Sequence, residues 1–553
     1  MSDAMELTVG DRVEDARGQR GTVRYVGPVA TSKDASTVYY GIEWDEWGRG
    51  LNDGSVTLPS GERVVYFEGP APRVVKSATE FKCSFVKKSK LLAEMKCATL
   101  LEKLRERYDP SAIGGQRLAA SVARGRDVVI AGEVGTALGS QRPIELVGVD
   151  KLRTKQTLAT IEKISLAQCH IKSLGISERG ELGRLTPQII ELDLSLNLLR
   201  SWSTVFDVLE ELPLLETIIL TGNRLVYDEV AAQGHEGMKI FPQVKVLVLN
   251  QTAIKWKDVA DIAHRHFPQL TELYFAANDV TDEDLSMTNL LVHDSSWLAS
   301  LQVLDLSDNK LSSWNAMEAH IGRAFSHLKQ FVGNGNEISS LSSDQSSVFQ
   351  ELLSLSLNEN RIDSWTSIDA LNRYPKLDTF RFMRNPLTSQ MGAGEARAII
   401  VARAEYLQIF NGSPIRQKER VDAEQMYLKR ILHEIAAAGN SDIQKTRIRT
   451  CHPRFRQLCD RYPEVVAIAN AALRGVSGGG PSTLGSSLIQ VKIVPMSMNA
   501  MTFDPLSKRM PQNMKISQLK VLVEKKFGIV VSDQLLSFRA DAKDGAEILV
   551  NDA

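Results

Sequence analysis

Between Ile161 and Leu387 the chain repeats one pattern: an apolar residue, any residue, a second apolar residue, two more residues, then Asn. It reads Leu192-x-Leu194-x-x-Asn197, Ile218-x-Leu220-x-x-Asn223, Leu273-x-Phe275-x-x-Asn278, Leu304-x-Leu306-x-x-Asn309, Leu355-x-Leu357-x-x-Asn360 and Phe380-x-Phe382-x-x-Asn385. Weaker copies end at Cys169, at Thr252 and at Asn336, the last with Gly333 in place of the second apolar residue. Successive Asn positions lie 24 to 31 residues apart. A unit of that length cannot bury its apolar face alone and must stack on the next, so the pattern dictates a solenoid.

The residue types follow from the geometry. Alternate strand side chains point to opposite faces, so each triplet sends two apolar side chains into the core and one outward. A buried Asn side chain can bond backbone groups of the turn that leaves the strand, which would be costly to bury unpaired. Cys and Thr are the usual substitutes there, so Cys169 reads as structural. This is the leucine-rich-repeat signature. The outward positions on the concave face are Ser165, Asp193, Ile219, Val248, Tyr274, Asp305, Val332, Ser356 and Arg381. Strands about 4.8 Å apart would make Ile219, Val248 and Tyr274 a contiguous apolar stripe, a candidate partner-binding surface. The competing explanation is that β-branched residues simply favour strands.

At 553 residues, with 43% apolar and 24% charged residues, the chain has room for several ordinary globular domains. A net charge of −1 argues against nucleic acid as a partner. The five cysteines, Cys83, Cys97, Cys169, Cys451 and Cys459, are scattered without metal-site spacing, which fits a reducing compartment and predicts no metal. No apolar run reaches signal-peptide or membrane-spanning length, so a cytoplasmic protein without membrane contact is expected. Gly132 to Gly139 lacks the Lys-Ser/Thr of a phosphate loop, and Cys451-His452 has no identifiable acid partner. No catalytic residue, cofactor or enzymatic activity is expected.

Ahead of the repeats, short strands such as Gly21–Gly27 and Val38–Trp44 alternate with Gly-rich turns. Gly48-Arg49-Gly50-Leu51-Asn52-Asp53-Gly54 follows, then Tyr66-Phe67. The series resembles a CAP-Gly domain, whose hallmark is Gly-Lys-Asn-Asp-Gly followed by Tyr-Phe. The resemblance implies a groove for acidic tails ending in an aromatic residue, formed here by Tyr39, Arg49, Gly50, Asn52, Asp53, Gly54, Tyr66 and Phe67. Glycines allow close backbone approach, and amide donors can hold a terminal carboxylate. Arg49, Lys82, Lys87, Lys88 and Lys90 are the nearby cations. Leu51 stands where the family usually has Lys, with Arg49 as partial replacement, and Tyr39 stands where the family has a groove Trp. The plainer alternative is a tight turn at Asn52-Asp53-Gly54 beside a solvated strand end at Lys87-Lys88.

The chain divides into a CAP-Gly domain at 8–90, a connector and repeat cap at 91–150, and the repeats with their C-terminal cap at 151–410. A helical extension at 411–474, a Gly/Ser-rich linker at 475–487 and a small α+β domain at 488–553 follow. Cys97, Leu101, Leu104 and Tyr108 predict one amphipathic helix over 91–108. Gly114 to Arg126 reads as loop and Ile144 to Val149 as the start of the solenoid. Helices are expected at Gly394–Leu407 and Asp422–Ala438, with a short one ending near Tyr462. In the last segment a strand at Ile489–Ile493, a helix with Ile516, Leu519, Val523 and Phe527 on one face, and a strand at Leu535–Phe538 resemble a ubiquitin-like β-grasp domain. The sequence ends at Ala553 without a terminal Gly-Gly.

This multidomain α+β order resembles the tubulin-folding cofactor E family, as do Arg381–Leu387, Ala396–Arg403 and His452–Phe455. The resemblance implies a cytoplasmic, cytoskeleton-associated chaperone that binds α-tubulin and the α/β-tubulin dimer. It implies work with tubulin-folding cofactors B, C and D and a partner GTPase, and docking of the ubiquitin-like domain on another cofactor or the proteasome. A microtubule-end or ubiquitin-pathway adaptor would use the same binding modules.

Overall fold

The computed structural model describes residues 6–108, 158–227, 238–286, 300–341, 348–475, 488–495, 503–511, 514–539 and 547–549. The loop expected at Gly114–Arg126, the glycines of 132–139, the strand at Ile144–Val149 and the linker at 476–487 lie outside the described residues. The chain forms two compact units, residues 1–427 with 451–453, and residues 428–450 with 454–553.

The first unit opens with β1 (Arg12–Glu14), β2 (Arg20–Pro28) and β3 (Val38–Trp44). Two short hairpins follow, β4 (Ser55–Thr57) with β5 (Arg63–Val65) and β6 (Arg73–Val75) with β7 (Ala78–Glu80), and then β8 (Cys83–Lys87). β1, β2, β3 and β8 form an antiparallel sheet in that order. Strand periodicity divides β3 cleanly. Tyr40, Ile42 and Trp44 point into a core with Val13, Val23 and Leu91, which leaves Tyr39, Gly41 and Glu43 on the other face.

The helix expected over 91–108 is broken in two. α1 (Lys88–Glu94) stops before Met95, β9 (Ala98–Thr99) pairs in parallel with the first repeat, and α2 (Leu100–Tyr108) then starts. The break has a local cause. The Thr99 hydroxyl accepts from the Glu102 amide at 3.1 Å, and the Glu102 carboxylate accepts from the Thr99 amide at 3.3 Å, a reciprocal cap that starts a helix at residue 100. Cys97 is therefore exposed, off the apolar stripe assigned to it. Leu100 and Leu104 of α2 join the solenoid core and cover its first repeat.

The solenoid strands are β10 (Lys163–Ser165), β11 (Ile171–Ser173), β12 (Glu191–Asp193), β13 (Thr217–Ile219), β14 (Val246–Val248) and β15 (Glu272–Tyr274). They continue with β16 (Val303–Asp305), β17 (Gln330–Val332), β18 (Ser354–Ser356), β19 (Thr379–Arg381), β20 (Ile409–Phe410) and β21 (Ser413–Pro414). Apart from β11, which pairs with β9, they form one sheet in chain order, parallel through β20, with the first core residue of a repeat opposite its counterpart in the next, as from Leu192 through Ile218, Leu247 and Leu273 to Leu304. The Asn positions act as expected. The Asn197 Oδ1 accepts from the amides of Cys169 and Ile171, both at 3.0 Å, while its Nδ2 donates to the carbonyls of Leu166 and Leu194, both at 2.9 Å. The residue just before each Asn position takes a left-handed backbone: Gln168, Leu196, Gly222, Gln251, Ala277, Asp308, Gly335, Glu359 and Arg384.

The C-terminal cap is the helix Ala393–Arg403, one turn shorter at its end than expected. Arg420 donates to the carbonyls of Val401, Ala404 and Leu407, satisfying the acceptors that a helix end leaves open. His452, beside the tempting Cys451, is buried and accepts from the Tyr427 hydroxyl at 2.6 Å and from the Arg403 guanidinium at 3.2 Å. Arg403 also pairs with Asp369 at 2.6 Å and lies over the rings of Trp365 and Tyr427, so this cluster is packing.

The expected second helix begins earlier, at Gln417, and runs to Ala437. A helix not anticipated, Asp442–Cys451, precedes Phe455–Arg461, and Pro463–Gly475 follows. The C-terminal segment contains the antiparallel pair Leu488–Ile493 and Leu506–Pro511, the helix Ile516–Phe527, and a second pair, Ser537–Arg539 with Glu547–Leu549. No helix among the described residues is long and apolar enough to cross a membrane.

Candidate functional site

The N-terminal groove is built on an absence of side chain. Tyr25 and Phe85 are the cross-strand neighbours of Gly41 on β2 and β8, so the outer face carries two rings with a pit between them. Phe67 fills the pit, and a Cβ at Gly41 would stand 2.5 Å from its ring. Tyr66 completes the cluster, with its ring centroid 4.9 Å from that of Tyr25 and 5.3 Å from that of Phe85. Its hydroxyl accepts from the Ala30 amide at 2.6 Å, which ties the long β2–β3 connection to the groove. Tyr39 shares this face two residues from Gly41, opposite Lys87, and its hydroxyl donates to Ser32 at 3.3 Å. Tyr25 and Phe85 belong to this ring cluster, and the motif alone did not indicate them.

The glycine loop lies directly on β8. Gly50 bridges to Phe81 and Asn52 to Cys83, and a Cβ at Gly50 would collide with the backbone of Lys82 and Cys83. Gly54 has φ +91° and faces the Phe67 carbonyl, so neither its backbone nor its surroundings admit a side chain. The Asn52 Oδ1 accepts from the Gly54 amide at 3.1 Å, and its Nδ2 forms no hydrogen bond among the described residues. Asp53 is occupied within the loop. It accepts from the Ser55 hydroxyl at 2.6 Å and from Arg63 at 2.5 Å, and these interactions, the Ser55 bond first, hold its carboxyl below the usual range despite burial. Leu51 is 78% exposed, so the residue in the family's Lys position meets solvent with an apolar side chain.

Arg49 departs from its expected role. Its guanidinium donates twice to Asp15, at 3.0 and 2.6 Å, and lies over the Trp44 ring at 4.5 Å from the centroid. It therefore anchors the loop and does not replace the missing Lys in the groove. Lys82 pairs with Glu43 at 3.7 Å and Lys88 with Glu6 at 2.8 Å, whereas Lys87 and Lys90 form no ion pair among the described residues. Burial would raise the Asp15 carboxyl, but Arg49 and the amides of Gln19 and Arg17 bring it below its ordinary value. A group depressed in this way contributes stability above its unfolded pKa of 3.8, and that stability is lost as pH falls through the folded value. Arg49→Met is expected to cost about 1.5–3 kcal/mol in urea unfolding at pH 7. The gap from the unchanged chain should shrink below pH 3.8; a gap constant with pH would contradict the Asp15 pairing.

The solenoid places the second candidate site. Ile219, Val248 and Tyr274 are direct partners in adjacent strands, each half-buried, and they form the expected stripe. The Tyr274 hydroxyl donates to Glu272 at 2.8 Å, and burial, reinforced by that carboxylate, pushes its pKa up to about 12. Ser356, partnered with Val332 in the same row, is not open to solvent: it is buried, and its hydroxyl donates to the Asn334 side chain at 2.8 Å.

The two sites belong to one unit, joined by a charged seam between β1–β3 and the first repeats. Asp11 is buried and accepts from Arg200 at 2.8 Å and Lys172 at 3.1 Å. Glu14 meets His170 at 3.3 Å, and Asp45, held by Arg12 at 2.5 Å, meets Arg224 at 3.7 Å.

Comparison with known proteins agrees with this layout. The sequence profile of the CAP-Gly domain matches residues 9–91, and a leucine-rich-repeat profile matches residues 295–438. The human protein named tubulin-specific chaperone E is 30% identical over 100% of this chain and 96% of its own. The Arabidopsis thaliana protein named tubulin-folding cofactor E is 29% identical over 94% of this chain and 89% of its own. The Xenopus laevis tubulin-specific chaperone E is 27% identical over 97% of this chain and 93% of its own. With these relatives matched from end to end, the chain belongs to the tubulin-folding cofactor E, or tubulin-specific chaperone E, family.

Proposed function

We propose that this chain is a tubulin-specific chaperone that works by binding and not by covalent chemistry. The observation that supports the reading is the ring cluster around Gly41 with the glycine loop packed on β8, in a chain matched over its full length by the human tubulin-specific chaperone E. The groove takes the acidic C-terminal tail of α-tubulin. The Asn52 Nδ2 meets the terminal carboxylate, the rings of Tyr25, Tyr66, Phe67 and Phe85 meet its last side chain, and Lys87 attracts the acidic residues before it. The concave stripe of Ile219, Val248 and Tyr274 contacts the tubulin body. Two modest contacts on one chain multiply affinity by about 10²–10⁴ through effective concentration. If released α-tubulin is bound more tightly than the α/β dimer, the difference drives dissociation of the dimer.

The C-terminal segment, with its order of two strands, helix and two strands, fits a ubiquitin-like domain that docks on another tubulin-folding cofactor or the proteasome. Nucleotide turnover belongs to tubulin or a partner GTPase, and the work is done in the cytoplasm on the soluble cytoskeletal subunit.

The test is calorimetric titration of α/β-tubulin, intact or stripped of its C-terminal tails, against this chain and its Gly50→Ala plus Asn52→Ala variant. Tail removal and the double substitution should each weaken binding at least about tenfold. Undiminished binding after both changes would leave the groove without the role given to it. No binding of either tubulin form would overturn the chaperone reading.

A further inference from the structure

The concave face has a charge pattern that the apolar stripe alone does not reveal. Along one row of the sheet the partners run Asp193, Ile219, Val248, Tyr274, Asp305, so an aspartate closes the stripe at each end. Neither aspartate forms an ion pair among the described residues. Asp193 accepts from the amide and hydroxyl of Ser195 at 2.9 and 2.5 Å and, on its other oxygen, from the Ser165 hydroxyl at 2.9 Å, while Asp305 accepts from the amide and hydroxyl of Ser307 at 2.8 and 2.5 Å. Those neutral donors orient the carboxylates and leave their charge uncompensated. From β12 through β18 no strand position carries Lys, Arg or His.

We infer that this face receives a cationic amphipathic helix of a partner protein, laid across the strands with its apolar side on Ile219, Val248 and Tyr274 and a Lys or Arg near each end on Asp193 and Asp305. The inference rests on the reading of that stripe as a partner-binding surface. The dimensions suit a helix. Four strand spacings of about 4.8 Å separate the two aspartates, roughly 19 Å, which a helix covers in about 13 residues at 1.5 Å each. An apolar centre with complementary charges at its rim is the arrangement that gives an interface both affinity and register. The occupant has the opposite charge to the acidic tail assigned to the N-terminal groove, so each site rejects the other's ligand.

The probe is a fluorescent amphipathic peptide of about 16 residues with Lys at both ends of its apolar stripe, compared with the same peptide carrying Glu there. Anisotropy is measured on the full chain, on Asp193→Asn plus Asp305→Asn, and on Tyr274→Ala. Asparagine retains an acceptor for Ser195 and Ser307, so the double variant should keep its fold, as circular dichroism will check. The Lys peptide should bind at least about tenfold tighter than the Glu peptide. The double variant should lose that preference, and Tyr274→Ala should weaken both peptides. Equal binding, no binding of the Lys peptide, or a preference that survives the double substitution overturns the inference. Tail-stripped tubulin is titrated in parallel. If neither this form nor intact tubulin binds while peptide discrimination holds, the chaperone reading falls and the cationic-helix site stands; the reverse result sinks only the latter.

Discussion

Asn309→Ala is expected to unfold the middle of the solenoid well before the rest of the chain. The Asn309 Oδ1 accepts from the amides of Asn278 and Val280, both at 3.0 Å, and its Nδ2 donates to the carbonyls of Phe275 at 3.1 Å and Leu306 at 3.0 Å. Alanine would take these bonds from the amides of Asn278 and Val280 and from the Phe275 carbonyl, all buried, while the Leu306 carbonyl keeps the Asn336 Nδ2 at 2.9 Å. Each such group costs about 1–3 kcal/mol, and relaxation keeps the total below a simple sum, so a loss of about 3–5 kcal/mol is expected. A solenoid is held by contacts between neighbouring repeats, so the damage should divide the array at that point. Hydrogen exchange should accelerate first in β15, β16 and β17, while the N-terminal sheet stays protected. Uniform destabilisation would contradict a nearest-neighbour array. Asn309→Asp should not restore stability, because a carboxylate cannot donate to the two carbonyls.

Gly54→Ala is the second large effect. At φ +91° a Cβ is strained whatever surrounds it, and here it would also run into the Phe67 carbonyl. Gly54 in turn accepts through its carbonyl from the amides of Tyr66 and Phe67, at 3.0 and 3.4 Å. Moving it therefore moves both rings. A cost of about 2–4 kcal/mol to the N-terminal domain is expected from strain and lost bonds together. Binding of an acidic tail peptide should fall at least about a hundredfold, read by calorimetry, while solenoid unfolding is unchanged. Gly61→Ala is the control. It too has positive φ, at +85°, but nothing stands within 4 Å of its Cβ, so it should cost less and leave tail binding intact. Equal effects of the two would mean that backbone strain alone, and not the position of Phe67, governs the groove.

The core of the repeats was legible because a two-residue alternation recurring with Asn at a fixed offset permits no other burial. The left-handed residue before each Asn was not. Only Gly222 and Gly335 announce it, whereas Leu196, Ala277 and Asp308 adopt the same backbone against their preference, held by the bonds that the Asn makes. Tyr25 and Phe85 escaped because they become neighbours only through the pairing of three strands. The unexpected glycine in the middle of β3 was the available signal. Thr99-x-x-Glu102 marked the true start of α2, but the apolar spacing from Cys97 to Tyr108 masked it. Arg49 was misread because its acidic partner lies 34 positions earlier, where no local pattern points to it. The helix Asp442–Cys451 buries none of its residues, so it carried no apolar periodicity to find.

The charged seam at Asp11, Glu14 and Asp45 determines where mechanical stress goes when both faces of the first unit are engaged. A module hung on a free tether would yield and let its guest relax. Here the β sheet and the first repeats are clasped at three points, and the clasp has little slack because Asp11 is already enclosed. A guest held at both faces would therefore bear any misfit between their spacing and that of its own contact points. The seam would then act as a caliper set to one opening, to which such a guest must come.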